Sequence, residues 1–330
     1  MTATAEPAIS GTPAGKSVPW RRLTWVAWRQ HRGTLTGSAI LIVLLAIFMA
    51  LTGVVLHRAG NNIDIVGPNS QWPLYDVSNT TLQLVLPLIP AMAGLFLGAP
   101  LTAREFETGS ARFTWVQGAG RTRWLATTVV PAVVLLAVIA VGLGLEYRWW
   151  QPFGHGIGGQ DRWIQTGLFG LNPLPFVGWI VLGFSLGVFF GAAIRRTVAA
   201  MAATFASYVL LMFEVAATWR PFYLPPLHLA AAHPQFTANG YGFSVSWGTR
   251  SGPSADVLST AFGWPGGRLL TGRQLNHTPA WFRMRHIQIW LTYQPGGRFL
   301  LFEYIELGWL VVLSAILISA TFILIRRRAA

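Results

Sequence analysis

The sequence predicts an all-α membrane protein: six transmembrane helices, both termini cytoplasmic, and an extended outer segment between spans five and six. Three observations lead there. Of 330 residues, 53% are hydrophobic and only 11% are charged, against roughly 25% charged in a soluble domain. Six separate stretches reach the ~20 apolar residues needed to cross a bilayer. The basic clusters around those stretches fall on one side, which sets orientation by the excess of Arg and Lys in cytoplasmic loops.

The elements follow in chain order. Residues 1–17 are rich in Ala, Thr, Pro and Gly and read as a disordered tail. Within it, SGTPAGKS holds Lys16, the only lysine, and resembles a phosphate-binding loop. The pattern G-x-x-x-x-G-K-[ST] requires glycine where Ser10 stands, a strand before it and a helix opening on the lysine. Neither context is present, since MTATAEPAI precedes the motif and Val18-Pro19 follows it. ATP hydrolysis by this chain is therefore not expected.

Residues 18–34, VPWRRLTWVAWRQHRGT, interleave Trp20, Trp25 and Trp28 with Arg21, Arg22, Arg29 and Arg32. Trp and Arg together suit the headgroup region, so a helix lying on the inner membrane surface is expected here; the alternative is a plain extension of span one. The first apolar run is too long for the core of a cleavable signal peptide.

The spans are expected at 36–56, 81–102, 124–145, 174–194, 197–218 and 303–325. Pro87, Pro90 and Pro131 fall inside them, where neighbouring helices re-satisfy freed backbone groups. Small residues on spans four and five, among them Gly183, Gly187, Gly191, Ala199 and Ala203, allow close helix contact. Arg21, Arg22, Arg29 and Arg32 precede span one; Arg104, Arg112, Arg121 and Arg123 lie between spans two and three; Arg195 and Arg196 lie between spans four and five; Arg326, Arg327 and Arg328 end the chain. The opposite short loops hold only Arg58, Arg148 and Arg162. The long 219–302 segment holds seven arginines, but long loops translocate largely regardless of charge, so it is placed outside. Its stretches NGYGFSVSW and RHIQIWLTYQP alternate in strand fashion, which predicts a small aromatic-rich cap. The division is thus tail 1–17, surface helix 18–34, spans one to five over 35–218, outer segment 219–302, and span six with a basic tail over 303–330.

Several chemistries are excluded or disfavoured. The chain has no cysteine, so disulfides, thiolate metal sites and cysteine nucleophiles are absent. The net charge of +13 resides in membrane-flanking loops and not on a soluble basic stripe, which argues against nucleic-acid binding. His228 and His233 are five apart and do not share a helix face, so no metal is expected. HGIGGQD, residues 155–161, resembles a nucleotide-contacting signature but reads as a Gly-rich turn in an outer loop. Two intramembrane acids stand out as candidates, Glu214, late in span five, and Glu306, early in span six. Each is a candidate outer gate or substrate contact; the structural alternative is an interfacial Glu paired with Arg220 or Arg298.

The connection between spans two and three is the informative one. Arg104-Glu105-Phe106-Glu107 continue span two, Gly109 ends that helix, and Ala111–Gln117 form a short amphipathic element. Gly118 and Gly120 break it before Arg121 and Arg123 anchor span three. The pattern A-R-E-x-E-x-G … W-x-Q-x-x-x-R-x-R-W-L resembles the same loop in permeases of the ABC-2 type transporter family, especially the actinobacterial members. LTWVAWRQHRGTL is similar to their connecting helix, and YQPGGRFLLFEYIELG to their approach to the last span.

The resemblance implies a permease in the cell membrane of a bacterium, exporting a substrate. It implies a separate ATPase subunit that binds the ATP, docked on the 103–123 loop, with Arg104, Glu105, Glu107, Gly109, Gln117, Arg121 and Arg123 as the coupling residues. It also implies a second permease copy, identical or similar, and no cofactor in this chain. Read without it, the loop is equally an ordinary basic inner loop. An ion-coupled carrier and a membrane sensor or assembly protein using the outer segment also stay open.

Overall fold

The computed structural model describes residues 20–59, 72–107, 121–150, 169–231, 240–249, 252–253 and 288–327. Six helices within them are long and apolar enough to cross a membrane: Ala39–Arg58, Pro73–Glu107, Leu125–Trp150, Pro173–Ile194, Thr197–Glu214 and Phe299–Arg327. These are spans one to six. Residues 20–34 run without a break into span one as the single helix Trp20–Ala59.

Span four is the axis of the bundle. It is 67% buried, whereas spans one, three, five and six bury between 17% and 28%. Phe176, Ile180, Phe184 and Val188 of span four join a core with Met49 and Leu56 of span one, Leu82 and Leu86 of span two, Leu136 and Leu143 of span three, and Ile325 of span six. The outer faces carry exposed Leu41, Leu44, Val138, Leu210, Val312 and Ile316, a surface that water would not tolerate but lipid would.

Span two is longer than its apolar run and is broken. A regular helix, Trp72–Val85, gives way to a 3-10 turn at Leu86–Leu88, a short α-turn at Ile89–Met92 and a π-turn at Ala93–Gly98 before Ala99–Glu107. Pro87 and Pro90 supply no N–H, so the ladder cannot stay regular there. Part of the loss is made good from outside, as Tyr208 Oη donates to the Pro87 carbonyl at 2.9 Å. The π-turn then lies directly on span four. A Cβ on Gly183 would strike the Pro90 carbonyl, and one on Gly187 the Gly94 carbonyl. Glycine at these positions lets the two backbones touch.

The segment between spans five and six adds a four-stranded antiparallel sheet to the helical spans. The strands are β1 (Leu227–Ala231), β2 (Gly240–Thr249), β3 (Gly252–Pro253) and β4 (Gln288–Pro295), in the order β1-β4-β2-β3. β4 pairs with β1 from Leu227↔Tyr293 to Ala231↔Ile289. It pairs with β2 from Gly240↔Pro295 to Gly248↔Gln288, with an irregularity between Gly242 and Ser244. The two alternating stretches of the sequence are thus β2 and β4. Below, "sheet end" means the end of the bundle nearest this sheet and "basic end" the opposite one.

Candidate functional site

At the basic end, span two closes onto the turn between spans four and five. Arg195 ends span four with a positive φ of 60°, its N–H donating to the Gly191 carbonyl at 3.1 Å. Arg196 is extended, and Thr197 opens span five. Glu107, the last residue of span two, accepts from the Thr197 N–H at 2.8 Å and from Thr197 Oγ1 at 2.5 Å. The start of a helix has N–H groups without partners, and a carboxylate there satisfies them and faces the positive end of the helix dipole. The Arg195 guanidinium covers the Phe106 ring at 5.2 Å. Deeper in, Thr102 Oγ1 donates to the Val188 carbonyl at 3.0 Å.

The expected coupling residues therefore divide. Glu107 binds span five, and Arg104 is exposed beside it while Glu105 is half-buried. Arg121 and Arg123 open the helix Arg121–Trp150 that carries span three. Gly109 and Gln117 lie outside the described residues. The clamp makes a testable statement. Glu107→Ala and Thr197→Val should each lower the unfolding midpoint slightly, and the double variant should lose no more than Glu107→Ala alone. Losses that simply add in thermal unfolding would refute the clamp.

At the sheet end a buried ionic cluster joins spans four, five and six. Arg220 is 1% and Glu306 0% exposed. The guanidinium engages the carboxylate at both oxygens, Nη2 to Oε1 at 2.8 Å and Nε to Oε2 at 2.9 Å. Such a fork is the strong form of the Arg–carboxylate pair. Trp179 Nε1 of span four donates to Oε1 at 2.7 Å, and Tyr223 Oη to Oε2 at 3.2 Å. Trp309 Nε1 donates in turn to Tyr223 Oη at 3.1 Å. Burial, and then the Glu306 charge, push the Tyr223 hydroxyl above its usual range, so it stays a donor.

Aromatic rings close the cluster. Arg220 lies over Phe169 at 4.9 Å, and Tyr208 stands edge-on to Trp179 with centroids 5.7 Å apart. A small cavity beside the break in span two is lined by Pro87, Pro90, Trp179, Tyr208 and Arg220. The sheet is tied to the same place. Gln294 of β4 donates to the carbonyls of Pro221 at 3.0 Å and Leu224 at 2.7 Å. Arg298 donates to Gln294 Oε1 and the Pro225 carbonyl, each at 2.8 Å.

The two candidate acids are not brought together. Glu306 is at the centre of the cluster, paired with Arg220 and not with Arg298. Glu214 is exposed, and its Oε1 accepts from Thr218 Oγ1 one turn on at 2.8 Å. Trp179, Tyr208 and Tyr223 were not among the candidates, although an indole N–H inside an apolar span always needs an acceptor. Glu303 was also missed; its side chain is 1% exposed. His228 is engaged with Thr292 Oγ1 at 3.0 Å, and His233 lies outside the described residues.

Neither the curated proteins nor the solved structures compared with the chain match it. Residues 39–220 do match a family, the one described as ABC-2 membrane transporter related. The matched stretch takes in spans one to five, the broken second span and Arg220, so it covers more than half of the sequence. With six membrane-crossing helices around a central fourth, this multi-pass protein belongs to the ABC-2 membrane transporter related family.

Proposed function

We propose that the chain is the permease subunit of an ATP-driven exporter in the bacterial plasma membrane, powered by a separate ATPase. Both termini and the basic end face the cytoplasm, and the sheet lies outside. Two permease copies, identical or similar, flank the path, and two ATPases dock on the 103–123 loops. The observation that carries this reading is the family match, which spans that loop and the helices on either side of it.

The clamp gives the loop something to act on. Span two ends at Glu107, and Glu107 holds span five, so a push on the loop reaches two spans at once. Energy enters through contacts that differ between the ATP-bound and ATP-free states. Span two is already broken at residues 86–98, where a change of backbone angle is least costly. Glu306, fully committed to Arg220, Trp179 and Tyr223, acts in this reading as the tie that holds the outer gate and not as a substrate ligand. Glu214, exposed near the same end of span five, stays the acid that can meet a substrate or a second copy.

The test is retention of the ATPase. Where a neighbouring reading frame encodes a chain with a true Walker A motif, the two are expressed together and pulled down through a tag on the permease. The native chain should retain ATPase at a one-to-one ratio, and a Glu105→Ala/Arg121→Ala chain should lose it. A well-folded native chain that retains none would leave 103–123 a plain inner loop.

A further inference from the structure

One turn before Glu306 lies a second buried acid with a different environment. Glu303 is 1% exposed, and its Oε1 is buried with no hydrogen-bond partner. Phe302, Glu303, Glu306 and Leu310 together form the buried stripe on span six, which packs chiefly on span four. A carboxylate in such a place must find a counter-charge, bind a cation, or carry a proton.

The surroundings decide among these. Arg220 is committed to Glu306 at both oxygens, and Tyr223 also donates there. Arg298, at the start of the sixth span, is committed to Gln294 and the Pro225 carbonyl. Span four, Pro173–Ile194, has no titratable side chain. Span three brings Arg148, which is exposed and acts on Glu303 only through space. Among the described residues no group of three or more His, Asp or Glu converges to hold a metal ion. The remaining neighbour is the charged Glu306 itself, and two carboxylates one turn apart in a dry site do not both ionise readily.

We propose that Glu303 is a proton-binding site, a neutral carboxylic acid in the folded protein beside a carboxylate kept charged. The two acids of FEYIE thus have different roles, set by which of them the arginine reaches. Release of the proton would leave an unpaired charge within reach of Arg148, so ionisation draws on span three and loosens the packing of span six.

Infrared spectroscopy of the full chain in lipid nanodiscs tests this. Exposed carboxylates are already ionised at neutral pH. The native protein should therefore show a protonated-carboxyl carbonyl stretch at neutral pH that shifts in heavy water and fades as the buffer is made alkaline. Glu303→Gln should abolish that band. It should also match the native unfolding midpoint at neutral pH and exceed it at alkaline pH, because the amide copies the neutral acid and cannot ionise. A native spectrum without the band overturns the proposal. So does a band that persists in Glu303→Gln. If that variant fails to fold, Glu303→Asp decides: it keeps an acid in a changed position, so the carbonyl band must move from its native frequency, and a band left in place overturns the proposal.

Discussion

Arg220→Met alone should cost about 3–5 kcal/mol of folding stability, the loss typical of breaking a buried pair by removing one partner. Glu306 would stay in a site with 0% exposure, stripped of the two strongest of its four hydrogen bonds. Trp179 and Tyr223 would still donate, but neither carries charge. The effect should appear as lost yield and a lower unfolding midpoint after solubilisation, read by fluorescence-detected size exclusion.

The double variant Arg220→Met/Glu306→Gln should recover more than half of that loss. Glutamine keeps an acceptor oxygen for the Trp179 indole and removes the charge that Arg220 neutralised. Exchange of a buried ion pair for neutral groups is often close to neutral in stability, because both desolvation penalties go with it. A double variant as damaged as Arg220→Met alone would mean that the guanidinium matters for its packing on Phe169, and not for the charge on Glu306.

The same cluster shows where sequence and structure part. Six apolar runs were legible because lipid imposes a length on any helix that crosses it. β2 and β4 were legible because alternation of side chains is a local property. A pairing of Glu306 with Arg220 or Arg298 was legible as the alternative to a gate or substrate contact, though for an interfacial Glu and not a buried one. The choice between them was not. Arg298 is only eight residues away, yet it bonds Gln294 and the Pro225 carbonyl, while Arg220 arrives from the end of span five.

Other residues were hidden for a similar reason. Glu303 and Glu306 look alike in FEYIE, and only the packing of span six on spans three and four separates a saturated acid from an unpartnered one. Glu105 and Glu107 sit two residues apart and so point to different sides of the helix; the fold singles out Glu107 because the turn at Arg195-Arg196 brings Thr197 to it. Span two reaches Glu107 because prolines that read as interruptions are absorbed by 3-10 and π turns, so the helix continues past its apolar run.

Gly183→Leu should be the most damaging substitution in the apolar part of the bundle. A side chain there meets backbone, the Pro90 carbonyl and its carbon, and not the movable tip of another side chain. Span four would have to retreat from span two along the whole seam, because Gly187 makes the same kind of contact with Gly94 one turn on. Inserting bulk into a packed core costs about 1–3 kcal/mol where side chains can shift, and backbone-on-backbone contact belongs at or above the top of that range. Gly142 and Gly308 supply the control, since a Cβ at either would meet nothing within 4 Å. Alanine at these two should leave the unfolding midpoint unchanged or raise it, alanine being the better helix former by about 1 kcal/mol. The consequence reaches past stability. Span four touches span two through glycine seams and also anchors Glu306 through Trp179, so it joins the clamp at the basic end to the ionic cluster at the sheet end. If Gly183→Leu folds with a native midpoint, the two backbones do not touch in the membrane, and span four is not the rigid link between the ends.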